Sequence, residues 1–111
     1  MENKNKESDG FPSLSRIEAL ILRMLAGTRE LYGLEMVEGS GGKLRRGTIY
    51  VTLQRMQEKG YVDSRKESRT APEIGIPRRL YSITGHGLRV LAAHDAARDR
   101  FADFAVSGLS L

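Results

Sequence analysis

The sequence predicts an α+β fold, mainly helical, with one small β-hairpin. Three observations lead there. Apolar residues recur at three- and four-residue spacing up to Lys59 and again beyond Thr84. Between those stretches, two short segments alternate apolar and polar residues. Gly27, the run Gly39 to Gly42, and Gly60 fall where the helical stretches stop.

At 111 residues the chain reads as one small domain with a short arm. Residues 1–12 are polar, end in Gly10, Phe11 and Pro12, and read as a flexible N-terminal arm. The first helix carries Leu14, Ile17, Leu20, Ile21, Met24 and Leu25 on one stripe. Ser15 with Glu18 fits a capping box at its start, and Gly27 fits its stop. A second helix is expected from about Tyr32 to Glu38, with Leu34 and Val37 facing inward. After the glycine turn a third helix runs from about Arg46 to Lys59. Ile49, Leu53 and Met56 share its inner face, and Gly60 closes it. Residues 61–67 and 79–84 read as two strands, with Tyr81 and Ile83 alternating with polar neighbours. Their connection holds Pro72, Gly75 and Pro77. Thr84 is a good N-cap for a last helix over about 85–105. Leu88 and Leu91 lie near its start, and Val90, Ala93, Ala97, Phe101 and Phe104 form a second stripe. Two apolar stripes cannot both pack on one small core, so the second is assigned to a partner subunit; the alternative is a single broad core face with some surface alanines.

Composition excludes several function classes. Cysteine is absent, which removes disulfides and thiolate metal sites. The two histidines, His86 and His94, cannot build a metal site alone, and no Ser-His-Asp arrangement can be argued. Gly39 to Lys43 resembles a phosphate loop only loosely, because Leu44 stands where Ser or Thr is required. The residues therefore point to no enzyme, no cofactor and no metal. No apolar run reaches the length of about 18 residues that a spanning helix needs. The start of the chain is too polar for a secretory signal, so the expected compartment is the cytoplasm.

Net charge is +4, but its distribution says more. Residues 43–79 hold ten Lys and Arg against four Asp and Glu. A basic segment inside a folded domain suits a polyanion partner, although it also suits a solvated surface. Three helices followed by a hairpin is the order of a winged helix-turn-helix, with the third helix as the reader of DNA. On that reading residues 13–84 form the DNA-binding domain and 85–111 a C-terminal dimerisation helix and tail. Lys43, Arg45 and Arg46 would neutralise phosphates at the start of the third helix. Thr48 and Tyr50 would give hydroxyl contacts to phosphate, and Gln54 and Arg55 have the donors to read base edges. Tyr50 also suits half-buried packing, and Arg55 and Lys59 a plain solvated face. In the hairpin, Arg65, Lys66, Arg69, Arg78 and Arg79 could lie along a minor groove or the backbone.

Gly47, Thr48, Ile49 and Tyr50, then Leu53, Arg55, Met56, Gly60 and Val62, resemble the PadR family of bacterial transcriptional regulators. Upstream Tyr32 and Gly33 match the opening of that family's second helix. Downstream Pro77, Arg78, Arg79, Tyr81, Ile83, Thr84 and Gly87 look like its wing and final helix. The resemblance covers about residues 14–92. It implies a homodimeric repressor, a palindromic operator, dimer contacts from the last helix and, in some members, a small-molecule effector between subunits. The chain departs from the pattern where Arg45 and Arg46 replace the usual Ser-Pro, where Val51 replaces a proline, and where Ile76 replaces a wing arginine. A second reading of the same fold is a winged-helix module that docks protein rather than DNA, with Ile74 and Ile76 as its contact.

Overall fold

Ser15 caps the first helix. Its hydroxyl accepts from the Glu18 amide at 3.0 Å, and the Glu18 carboxylate accepts from the Ser15 amide at 2.9 Å. This reciprocal box satisfies two amides that a helix start leaves unpaired. Helix α1 follows over Arg16–Ala26, and Gly27 caps it. The computed structural model describes residues 13–67 and 78–109, with side chains described through residue 102. After α1 come β1 (Leu31–Tyr32), α2 (Gly33–Gly39), α3 (Ile49–Glu58), β2 (Val62–Lys66), β3 (Arg79–Ile83) and α4 (Gly85–Leu109). The arm at 1–12 and the hairpin connection at 68–77, with Arg69, Ile74 and Ile76, lie outside the described residues.

The hairpin strands pair antiparallel, with Ser64 opposite Tyr81 and Lys66 opposite Arg79. A third strand was not expected: β1 pairs with β3 through Leu31 opposite Tyr81 and Tyr32 opposite Leu80. The sheet order is therefore β1-β3-β2. Ile21, Leu22 and Leu25 of α1, Met36 of α2, Ile49, Leu53 and Met56 of α3, and Val62 of β2 are fully buried together. Leu14, Ile17, Leu20 and Met24 pack around them half-buried.

Four expectations need correction. In α2 the buried side chain is Met36 and Leu34 is exposed, while Val37 packs half-buried against the core as expected. The helix starts at Gly33, capped by the extended Tyr32, and that phase turns Gly33 and Met36 inward. Helix α3 starts at Ile49 rather than Arg46. Residues 45–48 form a turn in which the amides of Thr48 and Ile49 both donate to the Arg45 carbonyl. In α4, Val90 and Leu91 are both buried in the subunit's own core, and Leu88 is exposed. Val90 is thus occupied within its own domain and leaves the outer stripe. Finally, α4 extends to Leu109, beyond the expected end near residue 105.

The junction of hairpin and α4 is tightly built. Thr84 Oγ1 accepts from the Gly87 amide at 2.8 Å, as an N-cap should. The same hydroxyl lies 2.6 Å from the Gly60 carbonyl oxygen and 3.1 Å from that of Tyr61. Gly87 packs directly on the Tyr61 carbonyl, where a Cβ would lie 2.2 Å from the oxygen.

Candidate nucleic-acid interface

The turn between α2 and α3 is organised by one buried hydroxyl. Ser40 Oγ donates to the Val37 carbonyl at 2.8 Å and accepts from the Leu44 amide at 2.9 Å. Gly41 and Gly42 adopt φ of +64° and +89°, which L side chains rarely do. Leu44 is then buried while Lys43, Arg45 and Arg46 on either side of it are exposed. The turn therefore anchors its apolar residue and presents its cations.

Helix α3 buries Ile49, Leu53 and Met56, which leaves Val51, Gln54, Arg55 and Glu58 on the opposite side. The expected outward pair Gln54 and Arg55 is split between two clefts. One, of about 400 Å³, lies between the starts of α1 and α3. Lys43, Arg45, Thr48 and Arg55 line it, together with Ser15 and Thr52. Thr48 makes no side-chain capping bond, so its hydroxyl is available there. The other, of about 670 Å³, lies between α3 and the sheet. Tyr50, Gln54 and Arg79 line it, together with Gln57, Glu58, Ser64 and Tyr81. Arg46 is exposed but lines neither cleft.

Arg78 and Arg79 are adjacent in sequence, yet the strand sends them to different neighbours. Arg79 Nη1 donates to Ser64 Oγ at 2.8 Å, and Ser64 Oγ donates to Gln57 Oε1 at 3.0 Å. Arg78 instead sits 5.2 Å over the ring of Tyr32, a cation–π contact. Tyr32 Oη donates to the Glu67 carboxylate at 2.6 Å, which holds its phenol above the ordinary value; burial pushes the same way. Arg65 makes two bonds to Glu30, at 2.7 and 2.8 Å, and they hold the Glu30 carboxyl below its usual range. Under the second cleft, burial raises the Tyr81 phenol, with Arg79 opposing and Tyr50 reinforcing.

Tyr50 is half-exposed and closes over Gly33, where a Cβ would lie 2.7 Å from its ring. Tyr50 therefore packs against Gly33 while about half of it stays exposed. Sequence reasoning missed Gln57 and Ser64. Gln57 was legible, since it follows Tyr50 by seven residues and shares its helix flank. Ser64 was not, because its place depends on strand register.

Along α4, Ala93, Ala97 and Phe101 are exposed in the isolated subunit, Phe101 at 73%. The side chain of Phe104 lies outside those described. Arg23 of α1 bonds Asp95 at 2.5 Å, the last described ion pair between α4 and the domain body. Among the described residues, no group of three or more potential metal-ligating side chains exists, and no helix is long and apolar enough to cross a membrane.

The profile of the Transcriptional regulator PadR-like family matches residues 21–93. Among solved structures, a PadR family transcription regulator from Clostridium difficile R20291 is 25% identical, with TM-score 0.65, covering 87% of this chain and 100% of that one. A PadR family transcriptional regulator from Eggerthella lenta DSM 2243 is 26% identical, with TM-score 0.66, covering 85% and 84%. The PcaV transcriptional regulator from Streptomyces coelicolor, solved with its natural ligand, shares the fold at 21% identity and TM-score 0.68, covering 86% and 62%. Among curated protein sequences no relative is found.

Proposed function

We propose, for a chain that belongs to the PadR-like family of transcriptional regulators, that DNA is held on the outward face of α3 and in the clefts beside it. The protein is a winged-helix transcriptional regulator. Helix α3 enters a major groove. Gln54 and Arg55 donate to base edges, and the exposed Val51 meets a thymine methyl. Lys43, Arg45, Arg46, Thr48 and Tyr50 contact backbone phosphates, which the helix N-terminus also attracts. From the sheet, Arg79 reaches the backbone beside α3, and Arg78 follows it from the wing base.

Two subunits joined through α4 place their α3 helices about 34 Å apart on a palindromic operator, and the dimer represses. Ala93, Ala97 and Phe101, with Phe104 further along the helix, supply that contact; the support is that residues 96–102 are exposed in the single subunit. Residues 13–84 act as the DNA-binding unit. The reading places the protein in the cytoplasm and gives it no catalysis. It includes a small-molecule effector between subunits, which the family resemblance implies for some members; PcaV, which shares the fold, was solved with its natural ligand.

One observation carries the proposal. Lys43, Arg45 and Arg46 are exposed at the start of α3, and no ion-pair partner is recorded for them among the described residues. The test is fluorescence anisotropy at two salt concentrations, with a duplex from upstream of the protein's own coding sequence and a scrambled control. Tight, salt-sensitive binding to the first duplex is expected. Replacing Arg45 and Arg46 with Ala should weaken binding to both duplexes and flatten the salt slope. Salt-insensitive behaviour, or double-variant affinity equal to wild type, would overturn the placement of DNA on α3.

A further inference from the structure

We infer that Ser64 and Gln57 are positioning residues that aim the Arg79 guanidinium at a DNA backbone phosphate beside α3. The inference rests on the DNA-binding reading above and deepens it. The chain of bonds is directional: Arg79 Nη1 donates to Ser64 Oγ at 2.8 Å, and Ser64 Oγ donates onward to Gln57 Oε1 at 3.0 Å. It spans three elements, from β3 across its neighbour β2 to α3. No carboxylate is recorded as an ion-pair partner of Arg79 among the described residues, so its charge is held by neutral groups and not cancelled.

An arginine has five N–H donors, and this relay engages one of them. The other donors remain for an anion in the cleft that Arg79, Gln57 and Ser64 line with Gln54 and Glu58, where the Glu58 carboxylate accepts from Gln54 Nε2 at 3.5 Å. A free arginine side chain loses considerable rotamer freedom on binding. Fixing the guanidinium beforehand reduces that loss, which is the general advantage of preorganisation. The same bonds set the wing strands against the reading helix, so phosphate contact and base contact share one geometry. Arg65 shows the contrasting case on the same hairpin: Glu30 takes it up in two bonds, at 2.7 and 2.8 Å.

A double-mutant cycle tests this on any duplex the wild type binds at low salt, since phosphate contacts are independent of sequence. The variants are Ser64→Ala, Arg79→Ala and the pair together, with Ser64→Thr as the conservative replacement. Arg79→Ala should reduce the salt slope by about 1. Ser64→Ala should weaken binding about five-fold in the wild-type background and not at all beside Arg79→Ala. Ser64→Thr should restore affinity because it keeps the hydroxyl. Thermal melts of each variant separate this from a structural role, which would lower the melting temperature and leave the two effects additive. Additive effects, or no effect of Ser64→Ala, overturn the relay and leave DNA binding standing. Failure of the wild type to bind either duplex at low salt overturns both readings.

Discussion

Replacing Gly87 with Ala sets two opposed effects against each other in the first turn of α4. Alanine is the better helix former by about 1 kcal/mol, so propensity alone favours the change. Packing opposes it. The new Cβ would lie 2.2 Å from the Tyr61 carbonyl oxygen and 2.9 Å from Ile83 Cγ1. Restoring ordinary contact requires α4 to withdraw by roughly 1 Å. The Tyr61 carbonyl cannot easily yield, because it accepts from the Thr84 amide at 3.0 Å and faces Thr84 Oγ1 at 3.1 Å. Withdrawal also stretches the 2.8 Å cap from the Gly87 amide to Thr84. Overpacking of this kind costs typically 1–3 kcal/mol, and each lost bond about 1 kcal/mol more. The net effect should be a loss of about 2–3 kcal/mol, or roughly 10–20 °C in melting temperature for a domain of this size. Circular dichroism melts at one fixed protein concentration measure it, since association would shift the midpoint. Gly85→Ala is the control: its Cβ meets only Arg89 Nη1, at 3.5 Å, and it should melt at or slightly above wild type. If Gly87→Ala melts with Gly85→Ala, the close approach to Tyr61 does not govern stability.

Three further outcomes are expected. Gly33→Ala would put a Cβ 2.7 Å from the half-exposed Tyr50 ring, which can swing outward. DNA affinity should therefore fall several-fold while the melting temperature moves by only about 5 °C; the opposite pattern refutes the placement of Tyr50 at the interface. Above neutral pH, the raised phenol of Tyr81 favours the protonated, folded form. Its contribution is intact below the ordinary value of 10.0 and is lost as pH rises through the higher folded value. Denaturant midpoints across alkaline pH should then fall more steeply for wild type than for Tyr81→Phe, and parallel curves count against it. Phe101→Ser should shift sedimentation toward the monomer and make the melting midpoint less dependent on protein concentration, and an unshifted dimer removes Phe101 from the contact.

Local rules made much of the fold legible. The Ser15–Glu18 box, the Thr84 cap and the inner face of α3 follow from residue type and spacing, and each involves partners within four residues. What escaped involves distant partners or short elements. Strand β1 has two residues, too few to show alternation, and its partners lie about fifty positions later. Helix α2 has seven residues, so its inward phase depends on where Tyr32 delivers the chain, not on a repeating stripe. In α4, alanines on several sides blur the pattern. The contact of Gly87 with Tyr61 helps to set the rotation that buries Val90 and Leu91. For the site, the residue types were readable, but the division of Gln54 from Arg55, and of Arg78 from Arg79, came from packing.

The surplus of cations in residues 43–79 is sorted in space. Lys59 pairs with Glu18 at 2.8 Å and Arg65 with Glu30, so these two mainly tie elements together. Arg78 leans on Tyr32, and Arg79 is held by Ser64. Lys43, Arg45, Arg46, Arg55 and Lys66 have no recorded ion pair among the described residues. Three of these five come just before α3. The side chains of residues 45 and 46 could have differed without harm to the backbone there. The bonds that start α3 are made by the Arg45 carbonyl, which accepts from Thr48 at 3.2 Å and Ile49 at 3.0 Å. What the helix start lacks is a side-chain cap, worth about 1 kcal/mol. It has instead two arginines and an unengaged Thr48 hydroxyl beside amides that favour an anion. On the proposed reading, a DNA backbone phosphate would supply the acceptor that the missing cap does not. DNA binding should therefore stabilise the start of α3 more than its end, with slowed amide exchange concentrated at Tyr50 and Val51.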